Sequence, residues 1–132
     1  MLTIGMKLTI TETVTPEKTA KAVGSGELEV YATPSMITLM EKTSATLVKD
    51  SLNEGEGTVG TLVNINHTSA TPVGMTITCE SELVEIDRKR LVFKVVAYDD
   101  KGQIGEGTHE RFIINNEKFL SKTNAKKERT GF

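Results

Sequence analysis

Tryptophan is absent from this sequence of 132 residues, and aromatic residues make up only 5% of it. That leaves little material for the base-stacking platforms of single-strand nucleic-acid binders. Positive charge is not in excess either. The formal net charge is -2, and Lys and Arg are scattered until the C-terminal tail, so there is no basic stripe to follow a phosphate backbone. Nucleic acid is not an expected partner. No apolar run approaches the roughly 20 residues that span a bilayer, and no membrane partner is expected. Met1 to Met6 lack both a basic start and a long apolar stretch, so no secretion signal is visible and the expected location is cytoplasmic. The single cysteine, Cys79, excludes an internal disulfide and a cysteine-rich metal site. Met75, Ile77, Ser81 and Leu83 flank it at two-residue spacing, which reads as a buried thiol on one face of a strand. With two histidines and no Cys or Asp at ligand spacing, zinc is not expected.

The chain that remains suits one domain, 1-132, large enough for a real core. Its organising stretch is Thr33 to Leu52, the only long helical pattern. At about 100° per residue, Met36, Ile37, Met40, Ala45, Leu47, Val48 and Leu52 fall on one side, and Lys42, Thr46, Lys49 and Asp50 on the other. One residue of the apolar side does not fit. Glu41 places a carboxylate among Ile37, Met40 and Val48, and a buried carboxylate is costly unless paired or hydrogen-bonded, so a functional role is a fair expectation. Thr33 before Pro34 matches an N-cap followed by proline at the first helical position. It also puts a hydroxyl at the positive end of a helix dipole, beside the N–H groups of Ser35 and Met36.

The other elements are strands. Lys7 to Val14 is Thr- and Ile-rich, and a long connection with the loop composition of Gly24-Ser25-Gly26-Glu27 separates it from the helix, as a lid or as a plain loop. Thr58 to Ser69 places Val59, Thr61, Val63, Ile65 and His67 in one row and Gly60 in the other. Met75 to Ile86, Leu91 to Tyr98 and Gln103 to Asn115 follow, separated by turns at 71–74, 87–90 and 99–102. From Glu117 onward a short helix or frayed tail is expected. Four strands in succession suggest an antiparallel meander, and the whole order is α+β, a sheet curled around one long central helix. Its outer strands invite pairing with a second copy, so a homodimer is expected. Arg88, Lys89 and Arg90 are either phosphate contacts or a solvated turn.

Several ordered blocks share their residues and spacing with a known family. They are Val30-Tyr31-Ala32-Thr33 with Leu39-Met40-Glu41, Gly55-Glu56-Gly57 with Val59-Gly60-Thr61, His67-Thr68-Ser69-Ala70-Thr71-Pro72, and Gly105-Glu106-Gly107-Thr108-His109-Glu110-Arg111. From about Gly5 to Lys122 the chain resembles the hot-dog-fold acyl-CoA thioesterases, in the fluoroacetyl-CoA thioesterase subgroup. The resemblance implies hydrolysis of an acyl-CoA thioester by Thr33, Glu41 and His67, with Gly60 beside the substrate carbonyl. Its roles would be His67 as base and then acid, Glu41 orienting His67 or activating water, and Thr33 as nucleophile or holder of the attacking water. CoA is then part of the substrate, and no cofactor is expected. Where that enzyme is more aromatic ahead of its catalytic Thr, this chain offers Gly24, Ser25, Gly26 and Glu27 and retains Tyr31, a substrate-contact candidate. The expected substrate is therefore a short or modest acyl-CoA. Two other readings stay open: a non-catalytic acyl-CoA binding or sensing module, and a hydroxyacyl-CoA dehydratase. His109, flanked by Glu110 and Arg111, reads as a sheet-face or interface residue.

Overall fold

Alternating Thr and apolar residues make Lys7–Thr13 a half-buried strand, β1, with Leu8, Ile10 and Glu12 on its covered side. The computed structural model describes residues 1–128; the last four residues of the expected domain lie outside the described residues. After β1 the chain makes a helical turn at Pro16–Lys18 and a four-residue helix, α1 (Ala20–Val23). This long connection is tied down along its length. Ala20 N–H donates to Val30 C=O at 2.8 Å, Ala32 N–H to Lys18 C=O at 2.9 Å, and Tyr31 N–H to Thr71 C=O at 2.8 Å.

The long helix, α2, spans Thr33–Lys49. It stops short of the expected Leu52 because the chain tightens into turns, with Ser51 N–H on Val48 C=O and Leu52 N–H on Lys49 C=O. Its buried face is Met36, Leu39, Met40, Thr43, Ser44 and Val48. That face is rotated toward Leu39 and Thr43 from the one expected, and Ile37 is only half-buried. Two small hydroxyl residues at its centre let the helix settle close to the sheet. Thr43 Oγ1 donates to Leu39 C=O at 2.7 Å and Ser44 Oγ to Met40 C=O at 2.9 Å, and Ser44 Oγ lies 2.8 Å from Ser81 Oγ. Their polar atoms are therefore satisfied inside the core.

Four strands follow: β2 (Glu56–His67), β3 (Thr76–Asp87), β4 (Arg90–Asp99) and β5 (Gly102–Asn115), each within about two residues of the sequence reading. A terminal helix, α3 (Asn116–Asn124), is capped by the Asn115 side chain, which accepts from Lys118 N–H. The sheet is antiparallel with strand order β1-β3-β4-β5-β2. β3, β4 and β5 form the expected meander; β2 does not join it beside β3. It pairs with β5 at the far edge. Three strand spacings separate β2 from β3, roughly 14 Å, and the eight residues 68–75 can cross that distance without a hairpin.

The sheet wraps α2 and buries Ile77, Cys79, Leu83, Leu91, Phe93, Val95, Ala97 and Ile104 against it. Burial pushes the Cys79 thiol up to about 11, as befits a structural cysteine. No described helix is long and apolar enough to cross a membrane.

A bulge in β2 changes which of its residues look inward. Gly60 pairs with Arg111 and Leu62 with Glu110, leaving Thr61 without a partner in the register. The single row expected from Val59 to His67 is thus broken. Before the bulge Gly60 faces the same side as Arg111, and after it Val63, Ile65 and His67 face with His109, Gly107 and Gly105.

Candidate active site

Thr33 opens α2, but not as its cap. The N-cap position is Ala32, which has no side-chain bond to offer, and Pro34 is the second helical residue rather than the first. The Thr33 hydroxyl turns instead to the end of β2, where Oγ1 lies 2.7 Å from His67 Nδ1. Thr33 is exposed and His67 half-buried. The other ring nitrogen, His67 Nε2, is buried and has no hydrogen-bond partner among the described residues. Burial lowers the His67 pKa below the ordinary imidazole value, opposed by the backbone of Ser69. The ring is therefore neutral at pH 7 and able to accept a proton.

Tyr31 sets that ring from the side. The two rings meet edge to face, with centroids 6.5 Å apart and planes at 82°. Tyr31 is itself 1% exposed, and its hydroxyl donates to Glu12 Oε2 at 2.6 Å, while Lys18 Nζ reaches Glu12 Oε1 at 2.8 Å. Burial, followed by the bond to Glu12, raises the Tyr31 pKa, so it stays a phenol. Of the expected substrate contact only its ring remains, because its polar end is already used. Thr33, His67 and Tyr31 border one open pocket of about 330 Å³, lined otherwise by small side chains such as Ala20, Ser25, Val30 and Ala70. It is the tied connection before α2 that walls this space.

The structure also corrects which N–H groups stand free beside the Thr33 hydroxyl at the helix start. Met36 N–H is committed to Ala32 C=O at 3.0 Å, whereas the N–H groups of Thr33 and Ser35 have no acceptor among the described residues. Pro34 has none to give.

Glu41 is not in this cavity. Eight residues along α2 from Thr33, it stands about 12 Å further down the helix axis, and it makes no hydrogen bond to Thr33 or His67. The expected buried carboxylate is also corrected: the Glu41 side chain is 41% exposed, because the strand beside it, β2, is the edge of the sheet. Its neighbours are Arg111, whose Nη1 is 3.9 Å from Glu41 Oε2, and Gly60. A Cβ on Gly60 would sit 2.9 Å from Glu41 Oε2 and 3.3 Å from both Arg111 Nη1 and His109 Cε1. Within one chain, then, the structure joins Thr33, His67 and Tyr31 at one place and Glu41 and Gly60 at another.

The second place contains residues that sequence patterning left aside. Arg111 Nε donates to Thr58 Oγ1 at 2.8 Å and Nη2 to Thr58 C=O at 3.0 Å. His109 is 1% exposed, and its Nδ1 is 2.8 Å from Leu62 C=O. A histidine and an arginine two residues apart on a strand, facing the helix, were the available signal. Arg88, Lys89 and Arg90 stand elsewhere, at the β3–β4 turn, where Arg90 bridges Glu110 and Glu85 and is not free for a phosphate. No group of three or more possible metal-binding His, Cys, Asp or Glu is found among the described residues.

Comparison with known proteins agrees with this architecture. The model of the fluoroacetyl-CoA-specific thioesterase (FlK) family matches residues 14–117. A fluoroacetyl-CoA thioesterase of Streptantibioticus cattleyicolor is 43% identical over 98 residues, covering 74% of this chain and 70% of the relative. The solved structure of the fluoroacetyl-CoA thioesterase FlK superimposes with a TM-score of 0.90 at 36% identity, covering 96% of this chain and 98% of that one. A hot-dog-like protein from Thermanaerovibrio acidaminovorans shares the fold alone, with a TM-score of 0.85 at 19% identity over 98% of this chain and 93% of its own. The sheet curled around one helix is therefore a hot-dog fold, and the chain belongs to the fluoroacetyl-CoA-specific thioesterase family.

Proposed function

We propose that this chain is a cytoplasmic, dimeric thioesterase that hydrolyses a short acyl-CoA to the free acid and CoA, using Thr33 and His67 of one subunit with Glu41 of its partner. The observation that carries this reading is the 2.7 Å contact between an exposed hydroxyl and a neutral imidazole at the mouth of a small cavity. An alcohol is a poor nucleophile until a base takes its proton, and His67 Nδ1 is within proton-transfer distance of Thr33 Oγ1.

In this mechanism Thr33 Oγ1 attacks the thioester carbonyl as its proton passes to His67. The oxyanion meets the free N–H groups of Thr33 and Ser35 at the positive end of α2. Collapse expels CoA thiolate, which takes the proton from His67; water then gives a proton to Glu41 as it attacks the Thr33 ester, and that proton passes to Thr33 Oγ1 as the acid leaves, restoring the hydroxyl. No metal or organic cofactor enters these steps. The open pocket of about 330 Å³ beside Thr33 and His67 has room for the acyl end of such a substrate.

Bringing Glu41 to the cavity requires a second copy. β2 supports it: from Gly57 to Asn66 this long edge strand carries no charged residue, and Leu62 and Val63 are exposed on it. Proteins usually guard a bare edge with charge, proline or cover. A two-fold axis passing near Val63 and Asn64 sets the Gly60 end of one β2 against the His67 end of the other. Glu41, packed at Gly60, travels with it.

The test is thiol release from acetyl-, propionyl- and longer acyl-CoA. Wild type should turn over the short thioesters, and Thr33→Ala, His67→Ala and Glu41→Gln should each lose most of kcat. Binding of acyl-CoA without thiol release would overturn the catalytic reading in favour of a sensing module.

A further inference from the structure

Glu12 is a half-buried acid on the covered side of β1, in a row otherwise made of Leu8 and Ile10, where an apolar side chain would pack at lower cost. The mechanism above uses neither this carboxylate nor the Tyr31 hydroxyl bonded to it. We propose that Tyr31 is a positioning residue that holds the His67 imidazole against Thr33, with Glu12 anchoring the far end of the Tyr31 ring. The proposal rests on the reading that His67 serves the hydrolytic reaction as its base.

The hydrogen bonds of His67 do not fix its ring. Nδ1 meets Thr33 Oγ1, but Nε2 is without a partner among the described residues, and a ring held by one hydrogen bond still swings about its side-chain torsions. The second contact is Tyr31, whose ring meets the imidazole edge to face with centroids 6.5 Å apart. Tyr31 is in turn fixed at both ends. Its N–H donates to Thr71 C=O at 2.8 Å, in the segment that follows His67, and its hydroxyl donates to Glu12 Oε2 at 2.6 Å. Lys18 Nζ holds the other Glu12 oxygen at 2.8 Å, so the carboxylate is gripped on both sides. Lys18 C=O also accepts from Ser35 Oγ at 3.0 Å and from Ala32 N–H at 2.9 Å, which ties the first turn of α2, and with it Thr33, to the same anchor. Base and hydroxyl are thereby referred to one frame, and a small misplacement of either lowers the rate steeply.

A purely structural Tyr31, pinning the connection to β1, would alter stability and leave the reaction alone. The experiment therefore separates kcat from KM in the full-length enzyme. Tyr31→Leu, Tyr31→Phe, Glu12→Ala and Glu12→Gln are assayed on the best acyl-CoA substrate, each also in a His67→Ala background, with thermal melting as the check on folding. The expected result is a loss of about tenfold in kcat for Tyr31→Leu, with KM within about twofold, and no further loss when His67→Ala is already present. Tyr31→Phe and Glu12→Ala remove the same hydrogen bond, so each should cost about threefold in kcat, and the two together no more than the larger single loss. Glu12→Gln keeps an acceptor for the hydroxyl and should recover most of what Glu12→Ala loses; these three variants carry the test if the Leu variant does not fold. Full kcat in the folded Tyr31 and Glu12→Ala variants, a loss that falls on KM instead, or losses that multiply in the His67→Ala background overturns the proposal. Full kcat in His67→Ala alone would instead overturn the reading beneath it.

Discussion

Thr33 Oγ1 and His67 Nδ1 meet at 2.7 Å although 34 positions separate them, one at the first turn of α2 and the other at the last residue of β2. Helix start and strand end converge because β2 lies at the sheet edge and runs past the N-terminal end of the helix. Thr33 is exposed and caps nothing, so its hydroxyl has little bearing on folding. Thr33→Ala should lower kcat by about 10² or more while changing stability by less than about 0.5 kcal/mol, and Thr33→Ser should retain most activity. Steady-state kinetics beside a denaturant titration checks both halves.

His67 must be neutral to act as base, and burial holds its pKa below the ordinary value near 6.5. Activity should therefore rise with pH along an acid limb whose midpoint lies below 6.5, and be level through neutrality as far as this group decides it. A pH profile of kcat/KM measures that limb; a midpoint above 6.5 would contradict the assigned environment.

His109 gives stability a pH dependence of its own. Burial, with Arg111 adding to it and the Leu62 carbonyl opposing, lowers its pKa in the folded chain. As pH falls from 6.5 toward that lower value, the unfolded chain binds the proton and the folded one does not, so stability declines in this window and is fully present above it. Urea midpoints between pH 7.5 and 5, at fixed protein concentration, should fall with acid, and less steeply in His109→Gln. His67 contributes with the same sign.

Gly107 tests the packing of β2 on β5. A Cβ there would run into the backbone of Asn64 and Ile65, which cannot move without breaking the pairing. Gly107→Ala should cost about 1–3 kcal/mol and lower Tm, whereas Gly60→Ala, whose Cβ meets the movable end of Glu41, should spare stability and reduce kcat.

The bare edge of β2 is the proposed dimer contact. Placing a charge in its middle with Val63→Lys should shift the protein to a monomer in sedimentation and, because Glu41 then cannot reach the partner's cavity, remove most activity. An active monomer would separate catalysis from dimerisation.

Much was legible in the order of residues alone. The 3.6 period of 33–52, the two-residue alternation of the later strands and their turn residues are local signals, so α2 and β3 to β5 emerge near their true bounds, and Thr33, Glu41, His67 and Gly60 stand out as misfits or by resemblance. Folding decided what local signals do not carry. A sheet's strand order depends on non-local pairing, which took β2 away from β3 to the far edge. One unpaired residue, Thr61, reversed the alternation of β2 and turned Gly60 inward. The buried face of α2 was set by what covers it, leaving Glu41 half in solvent beside Arg111 rather than among its hydrophobic neighbours on the wheel. Periodicity states which side chains share a face; only the packed sheet determines what that face meets.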